Sequence, residues 1–235
     1  MPVSLAALVA LIAGALPMSE DAMPLKPAVM KGNTVTKTLA AAPLAAPAAT
    51  LESLIPSGFG EAGRMAVTVD KAPATLIRHT RETGRNAHIG GEHVSVVLGE
   101  NGDLKGFTRM DGTLAGGALP SRQEARAIAF AFLARHAPDL LANPEVHWVE
   151  PHDESIRVEE GGVARAVTLT GMKVKMRNPA DGRWFWVIVG SDSGVMTFER
   201  DIVWITFPGR RQTEKWLHDG WLKDKGHAQA FPPAL

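Results

Sequence analysis

From Leu51 onward the apolar residues of this chain fall at every second position in short runs, interrupted once by a stretch where they fall three and four apart. Met65-Ala-Val-Thr-Val-Asp70 alternates, Leu76 to Arg81 supplies a second run, and Glu92 to Leu98 leads through Asn101-Gly102 into Leu104 to Met110. Alternation puts one row of side chains inward and the next outward, the mark of a half-buried strand. Asn-Gly tolerates the positive φ that a two-residue loop demands, so Asn101-Gly102 is expected to close a tight hairpin. This part of the fold reads as a meander of short strands.

The interruption is a helix. In Pro120-Ser-Arg-Gln-Glu124 the Ser121 hydroxyl can accept from the Glu124 N–H while the Glu124 carboxylate accepts from the Ser121 N–H, a capping box. Ala125, Ile128, Ala129, Phe132 and Leu133 then form one apolar face, and Pro138 stops the helix near His136. The alanines allow this helix to sit close on a sheet.

Beyond it the pattern gives a short strand at Val146 to Glu150, a polar turn, and a long strand from Val163 to Arg177. In the long strand Val167 and Leu169 hold odd positions, whereas Met172, Val174 and Met176 hold even ones, with Lys173, Lys175 and Arg177 between them. A β-bulge at Gly171 is expected to correct the register. Asn178 to Gly182 forms the next turn. In the strand from Trp184 to Val189, the row Trp184, Trp186, Ile188 opposes the row Phe185, Val187, Val189, as in a central strand covered on both faces. Val195 to Ile205 is the last long strand.

The two hairpins share one design. A shift of ninety-one positions lays Val96-Val97-Leu98-Gly99 on Val187-Ile188-Val189-Gly190 and Phe107-Thr108-Arg109 on Phe198-Glu199-Arg200, with Asn101-Gly102 opposite Asp192-Ser193. The expected class is α+β: curved antiparallel sheets in two related halves, with one main helix packed on a sheet.

The termini read differently. Met1 to Ala15 is an apolar run too short to span a bilayer, ending in the small residues Ala13-Gly14-Ala15, which suits a signal-peptide core even though no Lys or Arg precedes it. Residues 38 to 50 are Ala/Pro low complexity and read as a tether. The expected division is thus a leader and linker at 1–50, a β-rich half at 51–118, an α+β half at 119–210 and a tail at 211–235. Glu214 to Gly226 is expected to form a short helix carrying Trp216 and Trp221, which either clamps back onto the domain or serves as a partner-binding site. Localisation is expected to be periplasmic or secreted, with membrane contact only through an uncleaved leader.

Composition narrows the chemistry. With 25 basic and 25 acidic residues the chain lacks the electrostatic footprint of a nucleic-acid binder, so Arg210-Arg211 reads as solvated surface and no nucleic acid is expected as a partner. Cysteine is absent, which removes disulfides, thiolate zinc sites and a cysteine nucleophile. His79, His88 and His93 are close in sequence, but no His-Glu-x-x-His helix exists, and His88 and His93 would point to opposite faces of an uninterrupted strand. No metal or other cofactor is expected. His136 can interact with the helix dipole, while His147, His152, Asp153 and Glu154 fall in a turn-like region and read as solvated loop.

Gly190-Ser-Asp-Ser-Gly194 is followed by a strand rather than a helix, so it reads as a hairpin turn and not a nucleophile elbow. Ala115-Gly116-Gly117 lacks the following Lys-Ser/Thr of a phosphate loop, and Glu159-Glu160 has no opposing carboxylate that the sequence can place. No catalytic residue is assigned.

The order Pro120 to Ala129, then Val163-Ala-Arg-Ala-Val-Thr-Leu169, then Gly182-Arg-Trp-Phe-Trp-Val-Ile-Val and the Ser193-Gly194-Val-Met turn resembles the PepSY domain of thermolysin-like metalloprotease propeptides. Ile89-Gly-Gly-Glu-His-Val94 followed by Asn101-Gly102 is similar to the fungalysin/thermolysin propeptide module that stands before PepSY. The usual Asp-Ala before the last turn is here Gly190-Ser191, and the aromatic-Gln and Gly-x-Pro pattern is not evident around Arg81 to Ala87. The resemblance implies a non-enzymatic, exported, propeptide-like module that binds and inhibits a peptidase or assists its folding. It transfers no catalytic residue. Two alternatives stand beside it: a structural or ligand-binding envelope protein with no peptidase link, and a small metal-dependent hydrolase using the histidines.

Overall fold

The computed structural model describes residues 51–207 and 209–231, all within one compact unit, Pro43–Leu235. The leader and the Ala/Pro tether lie outside the described residues. Eight strands form a single antiparallel sheet, not the separate sheets expected. They are β1 (Phe59–Val69), β2 (Ala72–Arg81), β3 (His93–Gly99), β4 (Leu104–Met110), β5 (Glu145–Glu160), β6 (Val163–Arg177), β7 (Trp184–Val189) and β8 (Val195–Ile202). Their spatial order is β1-β2-β3-β4-β8-β7-β6-β5. Each meander would leave an inner edge open, and pairing β4 with β8 satisfies both.

The halves share most of their irregularities, although a further step at Trp184/Trp186 has no counterpart between β3 and β4. Between β3 and β4 the register steps at Val97/Leu98, facing Gly106 and Leu104; between β7 and β8 it steps at Ile188/Val189, facing Thr197 and Val195. Between β1 and β2 it steps at Glu61/Gly63, opposite His79 and Arg78; between β5 and β6 it steps at Val146/Trp148, opposite Met176 and Lys175. The inner turns match as well. Gly99 N–H donates to Asp103 O and Gly190 N–H to Gly194 O, each at 2.8 Å, with Gly102 (φ 79) and Ser193 (φ 61) in the left-handed position. Both are three-residue loops closed by one left-handed residue, so the expected two-residue Asn-Gly hairpin is corrected by one position.

No bulge occurs at Gly171. The β5–β6 pairing runs through His152↔Gly171 without a step, because the two apolar rows of β6 belong to opposite faces. Met172, Val174 and Met176 lie under the main helix, while Val167 and Leu169 join a separate cluster with Ile156, Val158, Trp186, Ile188 and Met196. Glycine is needed at 171 for space: a Cβ there would lie 2.6 Å from Ile188 Cγ2 and 2.9 Å from Val189 O.

The polar turn expected after Glu150 is also absent; β5 is one strand of sixteen residues. Beyond the reach of β7, β5 and β6 continue as a two-stranded arm. Its Arg157 N–H donates to Gly90 O and its Glu159 N–H to Asn86 Oδ1, both at 2.7 Å. Pro151 shares their parity, so its missing donor falls on the open edge, where no partner requires it.

Helix α1 (Arg122–His136) begins with the capping box expected, Glu124 N–H to Ser121 Oγ at 3.2 Å and Ser121 N–H to Glu124 Oε2 at 2.8 Å. Its buried Ala125, Ala129, Phe132 and Leu133 cover one sheet face, with Phe132 meeting Phe198 at 5.3 Å between ring centroids. The chain after β8 forms a ribbon of β9 (Trp204–Ile205) and β10 (Arg210–Arg211), then α2 (Asp219–Asp224). This tail packs on the opposite face of the first half, against Val67, Val69, Ala74, Leu76 and Val97. Among the described residues no helix is long and apolar enough to cross a membrane.

Candidate functional site

The tail anchors itself by two means. Trp216 is buried, its Nε1–H donates to Thr68 O at 2.6 Å, and its ring meets Trp221 edge-on at 4.7 Å. Asp219 accepts two hydrogen bonds from Arg78, at 2.7 and 2.8 Å, and one from Gly90 N–H at 2.5 Å. Burial works to raise the Asp219 carboxyl, but His93 and Arg78 outweigh it and bring it down to about 2. Trp216 precedes α2 instead of lying on it, while Trp221 sits within the helix. Both pack in the tail's own cluster against the first half, Trp216 buried and Trp221 half-buried.

The matching register steps pair positions of the two halves. Arg78 corresponds to Lys175, Leu76 to Lys173, His93 to Trp184 and Ser95 to Trp186. In the first half these positions lie under the tail; in the second they are cations stacked on indoles, with Lys173 and Trp186 buried and Lys175 and Trp184 partly exposed. Lys175 Nζ lies 4.3 Å from the Trp184 ring centroid and 5.5 Å from that of Trp148, and Lys173 Nζ lies 4.0 Å from Trp186. Trp204, on the β9–β10 ribbon and half exposed, stands 6.0 Å from Lys175 Nζ, and Phe207, in the turn of the same ribbon, is 91% exposed. Each contact sets a desolvated cation against the electron-rich face of a ring.

At the end of this face is a cleft of about 160 Å³, lined among others by Lys173, Trp186, Trp204, Arg211, Lys215 and His218. Glu154 and Glu199 also reach it. Glu199 is buried and claimed on both oxygens, by Arg211 at 2.7 Å and His218 Nε2 at 3.2 Å. Burial alone would raise its pKa, but Arg211 and His218 bring it down to about 2. Burial would lower His218, but Glu199 outweighs it and raises the imidazole. Glu154 is bonded to His152 at 3.3 Å. Lys173, only 9% exposed, has neither hydrogen bond nor salt bridge to a described residue. Burial pushes it down to about 8, against the more distant pull of Glu199 and Glu154.

The other candidates have structural roles. His93 is buried, with Nδ1 2.9 Å from Gly91 O and 3.6 Å from Asp219, while His79 lies on β2 and His88 in the loop before β3. Among the described residues no three His, Cys, Asp or Glu side chains are placed to hold a metal together. Gly190 to Gly194 is a hairpin turn in which Ser191 Oγ donates to Leu114 O and Asp192 pairs with Arg109. Ala115-Gly116-Gly117 packs against that turn, with Gly117 close to Ser191, and Glu159-Glu160 is at the arm tip, where Glu160 pairs with Arg165. His136 stacks on Phe132 at 4.6 Å.

Two readings are corrected. Arg211 is not solvated surface: its side chain is buried on Glu199, since β10 folds the ribbon over Trp186. His147, His152, Asp153 and Glu154 are strand residues, and His152 and Glu154 line the cleft. Lys173, Lys175, Trp148, Trp204 and Glu199 were not singled out from sequence. The signal lay in Lys-x-Lys-x-Arg followed one turn later by Trp-x-Trp, which adjacent antiparallel strands bring together as cross-strand pairs. No protein-family model, curated protein or solved structure matches the chain.

Proposed function

We propose that the chain is a non-enzymatic binding module of the exported compartment that engages another protein, with a peptidase as the partner its PepSY-like and propeptide-like segments imply. The observation that carries the reading is the difference between the two halves. A sheet face in the first half is sealed by the chain's own tail, and the corresponding face in the second half, with Trp148, Trp184 and Lys175 half-buried and Trp204 of the ribbon half exposed, is only partly covered. Tryptophan side chains held in fixed positions are what protein interfaces use as anchors. The strongly shifted acids Glu199 and Asp219 are meanwhile consumed in internal ion pairs, an arrangement of structure and not of acid–base catalysis.

The test mixes the purified full chain with a thermolysin-like metalloprotease and a panel of cell-envelope peptidases, reading inhibition, co-purification and refolding yield. Micromolar or tighter binding is expected for an interface of standard size. Trp204→Ala should weaken it without unfolding the chain, because half of that side chain is already in water. No inhibition, binding or folding effect across the panel would leave a structural or ligand-binding envelope protein as the better account.

A further inference from the structure

The docked tail displays the chemistry that this sheet surface accepts. On the first half a carboxylate, Asp219, is seated on Arg78 and flanked by apolar side chains of the same segment, Trp216, Leu217 and Leu222. On the second half the position of Arg78 is taken by Lys175 and that of Leu76 by Lys173, and neither has a carboxylate within salt-bridge distance among the described residues. The carboxylates lining the cleft are already bonded elsewhere, Glu199 to Arg211 and His218, Glu154 to His152. Lys173 is therefore a cation nine-tenths buried, lining a cleft, with the Trp186 indole against it and no carboxylate in salt-bridge contact.

Size and shape narrow the occupant. A cleft of about 160 Å³ takes one side chain, not a folded element. Its walls include the rings of Trp186 and Trp204, which suit methylenes, and Lys173 and Lys215 supply donors for an anionic end. The geometry points to a docking site for an acidic side chain of a partner's peptide segment, with its carboxylate on Lys173 and its neighbouring apolar residues on Trp204 and Phe207. This rests on the binding-module reading and names the chemistry of that same face. A largely buried lysine with no carboxylate in direct contact, attracted only at a distance by Glu199 and Glu154, gains from a closer one, so the acid contributes more there than on an exposed lysine.

The experiment uses the full chain and two acetylated, amidated pentapeptides, Leu-Ser-Glu-Ser-Leu and its Gln counterpart, titrated by calorimetry and by tryptophan fluorescence. The Glu peptide should bind at least about tenfold more tightly than the Gln peptide, the scale for a desolvated charge pair. Lys173→Met should abolish that preference. An apolar chain of similar length replacing a buried unpaired cation should also keep or raise the melting temperature, so lost preference would not reflect unfolding. Trp204→Ala should weaken both peptides together.

Equal binding of the two peptides, no saturable binding of the Glu peptide, or an undiminished preference in Lys173→Met would each overturn the proposal. Acetate displacing the Glu peptide at equal concentration would overturn the peptide assignment in favour of a plain anion site. Peptidase binding that survives Lys173→Met would sink this site while leaving the broader function standing. A Glu preference with no peptidase partner would do the reverse.

Discussion

Phe107 and Phe198 are direct cross-strand partners on β4 and β8, and they are also the residues that the ninety-one-position repeat superimposes. Their neighbours obey the same rule: Gly106 faces Glu199 and Thr108 faces Thr197, while the repeat carries Gly106 to Thr197 and Thr108 to Glu199. The exchange of partners is that of a two-fold axis passing between the two phenylalanines. The sheet thus has the organisation of an isologous dimer fused into one chain, in which each half covers the edge that the other leaves open. Thr108 and Thr197 complete the seam with a hydroxyl pair at 2.9 Å.

The repeated turns give an internal control. Gly102 and Ser193 hold the same left-handed position at φ 79 and φ 61, but only serine carries a Cβ there. Gly102→Ser should cost about 1 kcal/mol and Ser193→Gly should be neutral to stabilising by up to about 1 kcal/mol. Urea melts of the two variants check this, and destabilisation by Ser193→Gly beyond that scale would show that the Ser193 side chain contributes more than its backbone geometry costs.

Gly171 tests the corrected reading of β6. With Ile188 Cγ2 at 2.6 Å and Val189 O at 2.9 Å from a modest added methyl, Gly171→Ala should destabilise by about 1–3 kcal/mol. Because Val189 O is backbone, Ile188→Ala should not rescue it. A bulge at this point would instead have left the methyl room, and a neutral Gly171→Ala would restore that account.

What was legible in the sequence was whatever neighbouring residues decide. The Ser121–Glu124 box and the alanine face of α1 were readable because capping and helical spacing are local, and the repeat was readable because Val, Gly, Phe and Arg recur at one offset. The join between β4 and β8 was not, since nothing in Leu104 to Met110 states which distant edge it will meet. β5 was cut short because Glu150-Pro-His-Asp-Glu154 has the composition of a turn, and only its place on an open edge makes that composition suitable for a strand. Arg211 reads as surface because its partner, Glu199, sits on β8, a separate strand that only the folded ribbon brings to it. The Lys–Trp face was hidden for a similar reason: the lysines of β6 look solvated until the tryptophans of β7 are set beside them.

The tail clamp makes a stability prediction separate from binding. Arg78 is 1% exposed, so Asp219→Asn would strand a buried guanidinium and should cost about 3–5 kcal/mol. Replacing both, Arg78→Leu with Asp219→Leu, should recover most of that loss, because no unpaired charge remains. Trp216→Ala should cost about 3–5 kcal/mol as a core truncation, and Trp221→Ala less, since Trp221 is only partly buried. Chemical denaturation of the four variants decides the matter; a stable Asp219→Asn would mean that the tail is not held by this ion pair.

The same cluster sets the response to acid. Burial, aided by Arg78 and opposed by Asp219, lowers His93 from 6.5 to about 4. Between those values the unfolded chain binds a proton that the folded chain refuses, so stability should fall as pH drops from about 6.5 to about 4, by at most about 1.4 kcal/mol per pH unit for one proton. Below that, Glu199 and Asp219, both held down to about 2, lose their contributions as they protonate, and unfolding should steepen. His218 works with the opposite sign. Its raised pKa gives stability that is present below 6.5 and lost as pH climbs through the folded value. His93→Asn keeps a donor where Nδ1 meets Gly91 O but cannot titrate. Urea midpoints measured from pH 8 to pH 3 should therefore fall less steeply between about 6.5 and 4 in that variant, with His79 and His136, also lowered by burial, keeping part of the slope, while the collapse below 4 persists. An unchanged slope would assign the acid response to His79 and His136, which burial also lowers, together with the carboxylates, and remove His93 from the account.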